Sequence, residues 1–222
     1  MRLFRSAPDT RVTDRATWAA CALLLDYPGA DLDDRLAQVD LLCGHLPRTT
    51  RDALAPLRDH LVGERALVEQ RYVETFDLRR RTTLYLTYWT AGDTRNRGAE
   101  MLTFVRTYRA HGADAPRGES PDHLAVVLDF AATVDADAGR TLLDDNRVGL
   151  ELLRSALRDD ASPYAGALDA VCATLPPVTD QQSRRAARLA AAGPPGEAVG
   201  LQPFTLTVPP RREAAAARQE GA

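Results

Sequence analysis

The chain has 222 residues, 45% hydrophobic and 27% charged, with a formal net charge of -3, enough for one domain with a substantial core and short for two. All 28 basic residues are arginine, scattered among 31 acids, which argues against the concentrated basic face of a nucleic-acid binder. Cys21, Cys43 and Cys172 stand alone, with no C-x-x-C pair, so neither a zinc site nor dithiol chemistry is indicated and a reducing compartment is expected.

The opening "MRLFRSAPDTRVTDRAT" lacks the apolar core of a secretory signal. No run approaches the roughly 20 apolar residues of a membrane span. The expectation is a soluble, cytoplasmic protein that does not insert into a membrane. Residues 1–12 read as a flexible arm. Thr13 is the predicted N-cap of a first helix, "DRATWAACALLLD", stopped by Pro28 and Gly29. Its apolar residues run nearly all round, which predicts a helix at the centre of a bundle.

A second helix is predicted over 31–45, with Leu32, Leu36, Val39, Leu42 and Cys43 on its apolar side. A third starts near Thr50 and carries Leu54, Leu57 and Leu61, with Pro56 as a potential kink. A fourth, 64–78, sets Leu67, Val68, Tyr72, Thr75 and Phe76 in one stripe. After an irregular stretch, "TRNRGAEMLTFVRTYRAHG" places Met101, Leu102, Val105 and Tyr108 at helical spacing and ends at Gly112. In "SPDHLAVVLDFAATV", Ser120 is the predicted N-cap, Pro121 the first helical residue and Asp122 the acid of the first turn. One helix is expected over 138–159, and "SPYAGALDAVCATL" repeats the Ser-Pro start at Ser162. "TDQQSRRAARLAAAG" is a short helix at best, although Thr179 and Gln182 have capping-box spacing.

The fold class is therefore all-α: a single bundle of about seven or eight helices over 13–177. A Pro/Ala/Arg-rich tail over 178–222 is read as mostly disordered. The segment "TTLYLTYWT" has β-propensity, but a lone strand leaves its backbone unpaired. A short helix or irregular link is expected there instead.

Catalytic signatures are missing. His45, His60, His111 and His123 fall near predicted helix ends without metal-ligand spacing, and the acidic pairs resemble solvated faces. The exception to plain helical patterning is "YVETFDLRRRTTLYLTYWTAGDTRNRG", which holds Tyr72, Phe76, Tyr85, Tyr88 and Trp89 among Arg and Asp. Aromatics in such company suit a recognition surface. For Phe76 and Leu86 the core is the preferred reading, and for Arg79–Arg81 a solvated turn.

Together with "SPDHLAVVLDF" and "SPYAGALDAV", this stretch resembles the NarJ-type nitrate reductase molybdenum cofactor assembly chaperones, a branch of the TorD/DmsD redox-enzyme chaperones. The resemblance spans roughly residues 15–175 and is densest at Tyr72–Leu102 and Ser120–Phe130. It implies a non-enzymatic helical chaperone that binds the N-terminal peptide of the nitrate reductase catalytic (alpha) subunit. It would bind no cofactor permanently and would assist insertion of molybdenum cofactor into that client. Carried over by motif, the implied peptide site comprises Tyr72, Phe76, Asp77 and Leu84 to Trp89, including Leu84, Tyr85, Tyr88 and Trp89. It continues with Asp93, Arg95, Arg97 and Gly98, and with Pro121, Asp122, His123 and Leu124 at the facing helix start. Asp77, Asp93 and Asp122 are expected to pair with basic residues of the peptide. His123 is expected to be neutral because it would sit in a positive first helical turn. Ala125 stands where relatives often carry proline, and Asp129 where glutamate is usual, at the edge of the implied groove.

Two further readings stand beside these. The apolar island "GLQPFTLTVPP" (200–210), with Leu201, Phe204, Leu206 and Val208, is a candidate for folding back onto the groove. The rival function is a helical regulator that binds a small ligand, or binds nucleic acid through Arg79–Arg81. The oligomeric state is left open, a monomer included.

Overall fold

The computed structural model describes residues 10–92 and 95–193. Among them are eleven α-helices. The first four are α1 (Thr10–Leu25), α2 (Leu32–Leu42), α3 (Arg48–His60) and α4 (Arg65–Phe76). Two follow the irregular stretch, α5 (Tyr88–Ala91) and α6 (Arg95–Ala110). The remaining five are α7 (Leu124–Thr133), α8 (Ala136–Asp145), α9 (Arg147–Asp159), α10 (Ala165–Ala173) and α11 (Asp180–Ala192). The all-α expectation holds, with more and shorter helices than the periodicity suggested.

Helix α1 is the axis, packing against α2, α7 and α10. Its Trp18, Ala20, Cys21, Leu24 and Leu25 are at most 1% exposed, as an all-round apolar helix requires. Leu124, Val127, Leu128 and Ala131 of α7 are fully buried. Each large aliphatic side chain contributes roughly 1.5–3 kcal/mol by leaving water. Small residues let the neighbouring helices close in. A Cβ on Gly139 of α8 would lie 2.3 Å from the Ala131 Cβ of α7, and one on Gly166 of α10 would lie 2.0 Å from the Ala53 carbonyl oxygen of α3. Trp18 donates its indole N–H to the Thr174 hydroxyl at 2.8 Å.

Where the sequence reading fails, the reasons are local. α1 begins at Thr10, inside the expected arm. The single helix expected over 138–159 is two, because Asn146 turns its side chain back to the Leu142 carbonyl (2.8 Å) and leaves helical geometry. Leu67 and Leu102, expected on apolar stripes, are exposed, whereas Phe104 takes the buried position in α6. α11 is a full helix of 13 residues with both capping-box bonds at Thr179 and Gln182, and it packs on α9. Residues 180–192 thus belong to the packed structure, not to a disordered tail. The segment 200–210 lies outside the described residues, as does Asp93.

Candidate functional site

Helix α4 ends at Phe76, and the chain then runs irregularly to α5. A short 3-10 turn, Arg80–Thr82, is pinned by the Thr82 hydroxyl, which donates to the Thr75 and Arg79 carbonyls. Arg79 and Arg81 both pair with Asp160 just beyond α9. Their charge is partly neutralised there, which weakens the reading of Arg79–Arg81 as a nucleic-acid contact.

The β-like segment does find a partner. The Leu124 N–H donates to the Leu84 carbonyl at 2.9 Å, and the Leu86 N–H to the Asp122 carbonyl at 3.0 Å. Tyr85 and His123 thereby form an antiparallel bridge. Gly149 of α9 makes room for this link, since a Cβ there would stand 2.8 Å from the Leu86 carbonyl oxygen. The irregular link was expected; its pairing with the Ser-Pro-Asp-His segment was not.

Asp122 is the knot. Fully buried, its carboxylate accepts the Thr87 hydroxyl at 2.5 Å, the Thr87 N–H at 3.3 Å and the Ser120 hydroxyl. Arg97 approaches the same carboxylate at 3.7 Å, donates to the Thr87 hydroxyl at 3.3 Å and lies 4.9 Å from the centre of the Tyr85 ring. Tyr108 fixes the Pro121 carbonyl with its hydroxyl at 2.7 Å. This network explains why α7 starts at Leu124, with His123 as its N-cap, and not at Pro121. Ser120 and Asp122 serve the tertiary knot instead of capping a helix. Ser162 shows the same displacement: α10 starts at Ala165, and Tyr164 drops into the core.

The predicted site residues divide sharply. Tyr72, Phe76, Leu84, Tyr88, Trp89 and Leu124 are buried, so in this structure they do not line an open groove. Tyr72 and Phe76 stack with Tyr164, at ring distances of 6.2 and 4.7 Å, and the Tyr72 hydroxyl donates to the Leu25 carbonyl at 3.0 Å. Asp122 is committed to its knot and has no free face for a peptide. Asp77 and Arg95 are exposed, and Tyr85, Arg97 and Pro121 are half-buried. These five retain surface.

His123 is 5% exposed, its ring edge-on to Tyr85 at 5.6 Å, and its Nδ1 has no hydrogen-bond partner among the described residues. Burial lowers its pKa, opposed by the carboxylates of Glu119, Asp26, Asp122 and Asp77. Burial thus favours the neutral imidazole, the state expected from the sequence.

An open concavity lies close to this pairing, against α7. A groove of about 400 Å³ runs between α1, α7 and the 113–119 loop. Its floor includes Ala22, Leu23, Val126 and Phe130, and its walls carry Asp26, Asp114, Glu119 and Asp129. All four acids are exposed. Arg35 also lines the groove but is engaged by Asp26 and Asp31 at 3.4 and 3.3 Å. Partial burial, with Asp26 nearby, raises the pKa of Asp129. Asp26, Asp77 and Glu119 all act electrostatically on both Tyr72 and His123. Tyr27, next to Asp26, is 45% exposed and edge-on to Tyr72 at 5.4 Å. Sequence reasoning used "DYPG" only as a helix stop and passed over Asp26, Tyr27, Asp114 and Glu119. Ala125 and Asp129, singled out as departures from the family pattern, both line the groove.

Among the described residues no cluster of His, Cys, Asp or Glu could hold a metal ion, and no helix is long and apolar enough to cross a membrane. The chain is thus a helical bundle with an acid-rimmed apolar groove. Its fold is shared with a crystal structure from Archaeoglobus fulgidus assigned to redox enzyme maturation, with a TM-score of 0.53 and 19% identity over 77% of this chain and 95% of that one. Residues 44–170 match the nitrate reductase delta subunit family, and the chain belongs to that family, in its NarJ branch. It is 33% identical over 170 residues to the probable nitrate reductase molybdenum cofactor assembly chaperone NarJ of Bacillus subtilis, covering 73% of this chain and 90% of that protein. To the NarJ chaperone of Escherichia coli it is 31% identical over 150 residues, 66% of this chain and 64% of that one. It is also 49% identical over 158 residues to the nitrate reductase-like protein NarX of Mycobacterium tuberculosis, covering 71% of this chain but only 24% of NarX.

Proposed function

We propose that the chain is a dedicated, non-enzymatic chaperone that binds the N-terminal peptide of a nitrate reductase catalytic subunit. It would hold the apoenzyme for molybdenum cofactor insertion and membrane assembly without keeping the cofactor itself. The observation that carries this reading is the meeting of the two motif segments at Tyr85 and His123 beside the acid-rimmed groove. An amphipathic helix buries its apolar side in such a groove. The carboxylates of Asp26, Asp114, Glu119 and Asp129 favour basic residues on its polar side and raise the encounter rate. Tyr85, Arg97, Asp77, Arg95 and Pro121, which keep surface, would extend the contact beyond the groove. The NarJ relatives' names, which specify molybdenum cofactor assembly on nitrate reductase, support the choice of client.

Calorimetry with the N-terminal peptide of a co-encoded nitrate reductase large subunit tests the proposal. The peptide binds and a scrambled version does not. Rising salt weakens binding, and a Glu119→Gln, Asp129→Asn pair weakens it severalfold, as expected of partly exposed charges. Equal binding of the scrambled peptide, or indifference to both acids and salt, would overturn it. His123→Gln separates two roles: unchanged affinity assigns His123 to the Tyr85 pairing alone.

A further inference from the structure

Helix α11 is attached unlike any other long helix of the bundle. None of its residues is buried. Gln182, Ala186 and Leu189, at spacings of four and three, form its only half-covered stripe. Through Ala186 and Leu189 it lies on Tyr88, Trp89, Val148 and Leu152, an apolar cluster separate from the main core. Tyr85, whose other side faces His123 and Arg97, packs on the edge of that cluster. Arg185 of α11 lines a polar cavity of about 200 Å³ with Thr90, Glu100 and Asn146, so the helix does not seal against its neighbours. Beneath this cover the Trp89 indole N–H is buried with no hydrogen-bond partner among the described residues. Native structures leave few such donors unsatisfied.

Resting on the client reading above, we propose that the Tyr88–Trp89–Val148–Leu152 face is a second docking surface for the client's basic amphipathic segment, and that α11 is its displaceable cover. The resident helix states the chemistry the face accepts. α11 turns Ala186 and Leu189 inward and Arg184, Arg185 and Arg188 to solvent, on an alanine-rich backbone that favours the helix without tertiary support. A client segment lying in the acidic groove and continuing past Tyr85 reaches this face. There it exchanges a shallow Ala/Leu contact for its own apolar side and can offer a carbonyl to Trp89. Client binding and α11 docking therefore exclude one another, and the resident helix lowers the apparent affinity by the fraction of time it is seated.

The test uses the full chain and its Leu189→Asp variant, which alters a half-exposed residue and leaves the main core intact. In the variant the Trp89 emission shifts to longer wavelength as water reaches the indole, while fully buried Trp18 is unaffected. The client N-terminal peptide binds the variant about five- to tenfold more tightly than wild type. In wild type the peptide speeds hydrogen exchange in α11 but not in α1 or α7. Unchanged Trp89 emission in the variant would overturn the cover. Equal or weaker peptide binding by the variant, with α11 exchange unaffected by peptide, would overturn the exchange of occupants while leaving the groove reading standing. Failure of the peptide to bind either protein would overturn both.

Discussion

Replacing Asp122 with Asn removes the charge from the knot that joins Leu84–Thr87 to the start of α7, while changing the side-chain volume hardly at all. In wild type one carboxylate oxygen takes the Thr87 hydroxyl and N–H, and the other takes the Ser120 hydroxyl. Asn offers one acceptor oxygen and turns an NH2 donor toward the remaining donors. The hydroxyls can rotate to accept, but the Thr87 N–H cannot, and the attraction of this carboxylate for Arg97 at 3.7 Å is lost. Hydrogen bonds to a buried charged group contribute roughly 1.5–3 kcal/mol each. Loss of one such bond and weakening of the others is expected to cost about 2–4 kcal/mol. For a chain of this size that lowers Tm by roughly 4–16 °C. Urea unfolding is the cleaner assay: the midpoint falls while the slope stays constant. Asp33→Ala, which breaks an exposed pair with Arg65, is the control and leaves the midpoint nearly unmoved. A Thr87→Val, Asp122→Asn cycle is expected to be clearly non-additive. If Asp122→Asn unfolds where Asp33→Ala does, the buried carboxylate does not hold the link, and the account of why α7 starts late is wrong.

Gly166→Ala drives a methyl group into the Ala53 carbonyl, 2.0 Å from the ideal Cβ; separating α10 from α3 is expected to cost about 1–3 kcal/mol, measurable as a lowered urea midpoint, and a stabilised variant would refute the packing argument. Burial lowers the pKa of His123 below its ordinary 6.5, so the unfolded chain takes the proton more readily. Its contribution to stability is complete above that value and is lost as pH falls through it toward the folded-state pKa. His60 shifts in the same direction, through burial and Arg71. In a His60→Gln background, therefore, stability should fall more steeply between about pH 7.5 and 5.5 when His123 is present than when the His123→Gln substitution is added; parallel slopes would contradict this. Burial pushes the Cys21 thiol up to about 12 and raises Cys172 as well, whereas Cys43 is half-exposed. Iodoacetamide should label Cys43 alone in the native chain and all three cysteines in urea, as read by mass spectrometry.

Helix identity was legible wherever period and punctuation agreed. The all-round apolar run of α1, the Pro28–Gly29 stop and the Thr179–Gln182 capping box are local signals, and each appears in the fold. The stretch Tyr72–Gly98 was also recognisable as the place where helical patterning fails. Sequence could not say which aromatic ring there would face water. Tyr72, Tyr85 and Trp89 have similar neighbours in the chain, and only packing against Tyr164, His123 and α9 sorts them into core, rim and covered face.

What the sequence determined by itself was the helical class, the central position of α1 and the two motif segments, because side-chain period and capping act within a few residues along the chain. Tertiary structure alone decided that Ser120 and Asp122 tie down Thr87 instead of capping α7. It also decided that Asp26, Asp114, Glu119 and Asp129 gather round one groove, and that α11 closes over Trp89. Those outcomes depend on where distant backbones converge, and a buried carboxylate or an apolar face takes the partner that space brings to it, however far away in sequence that partner lies.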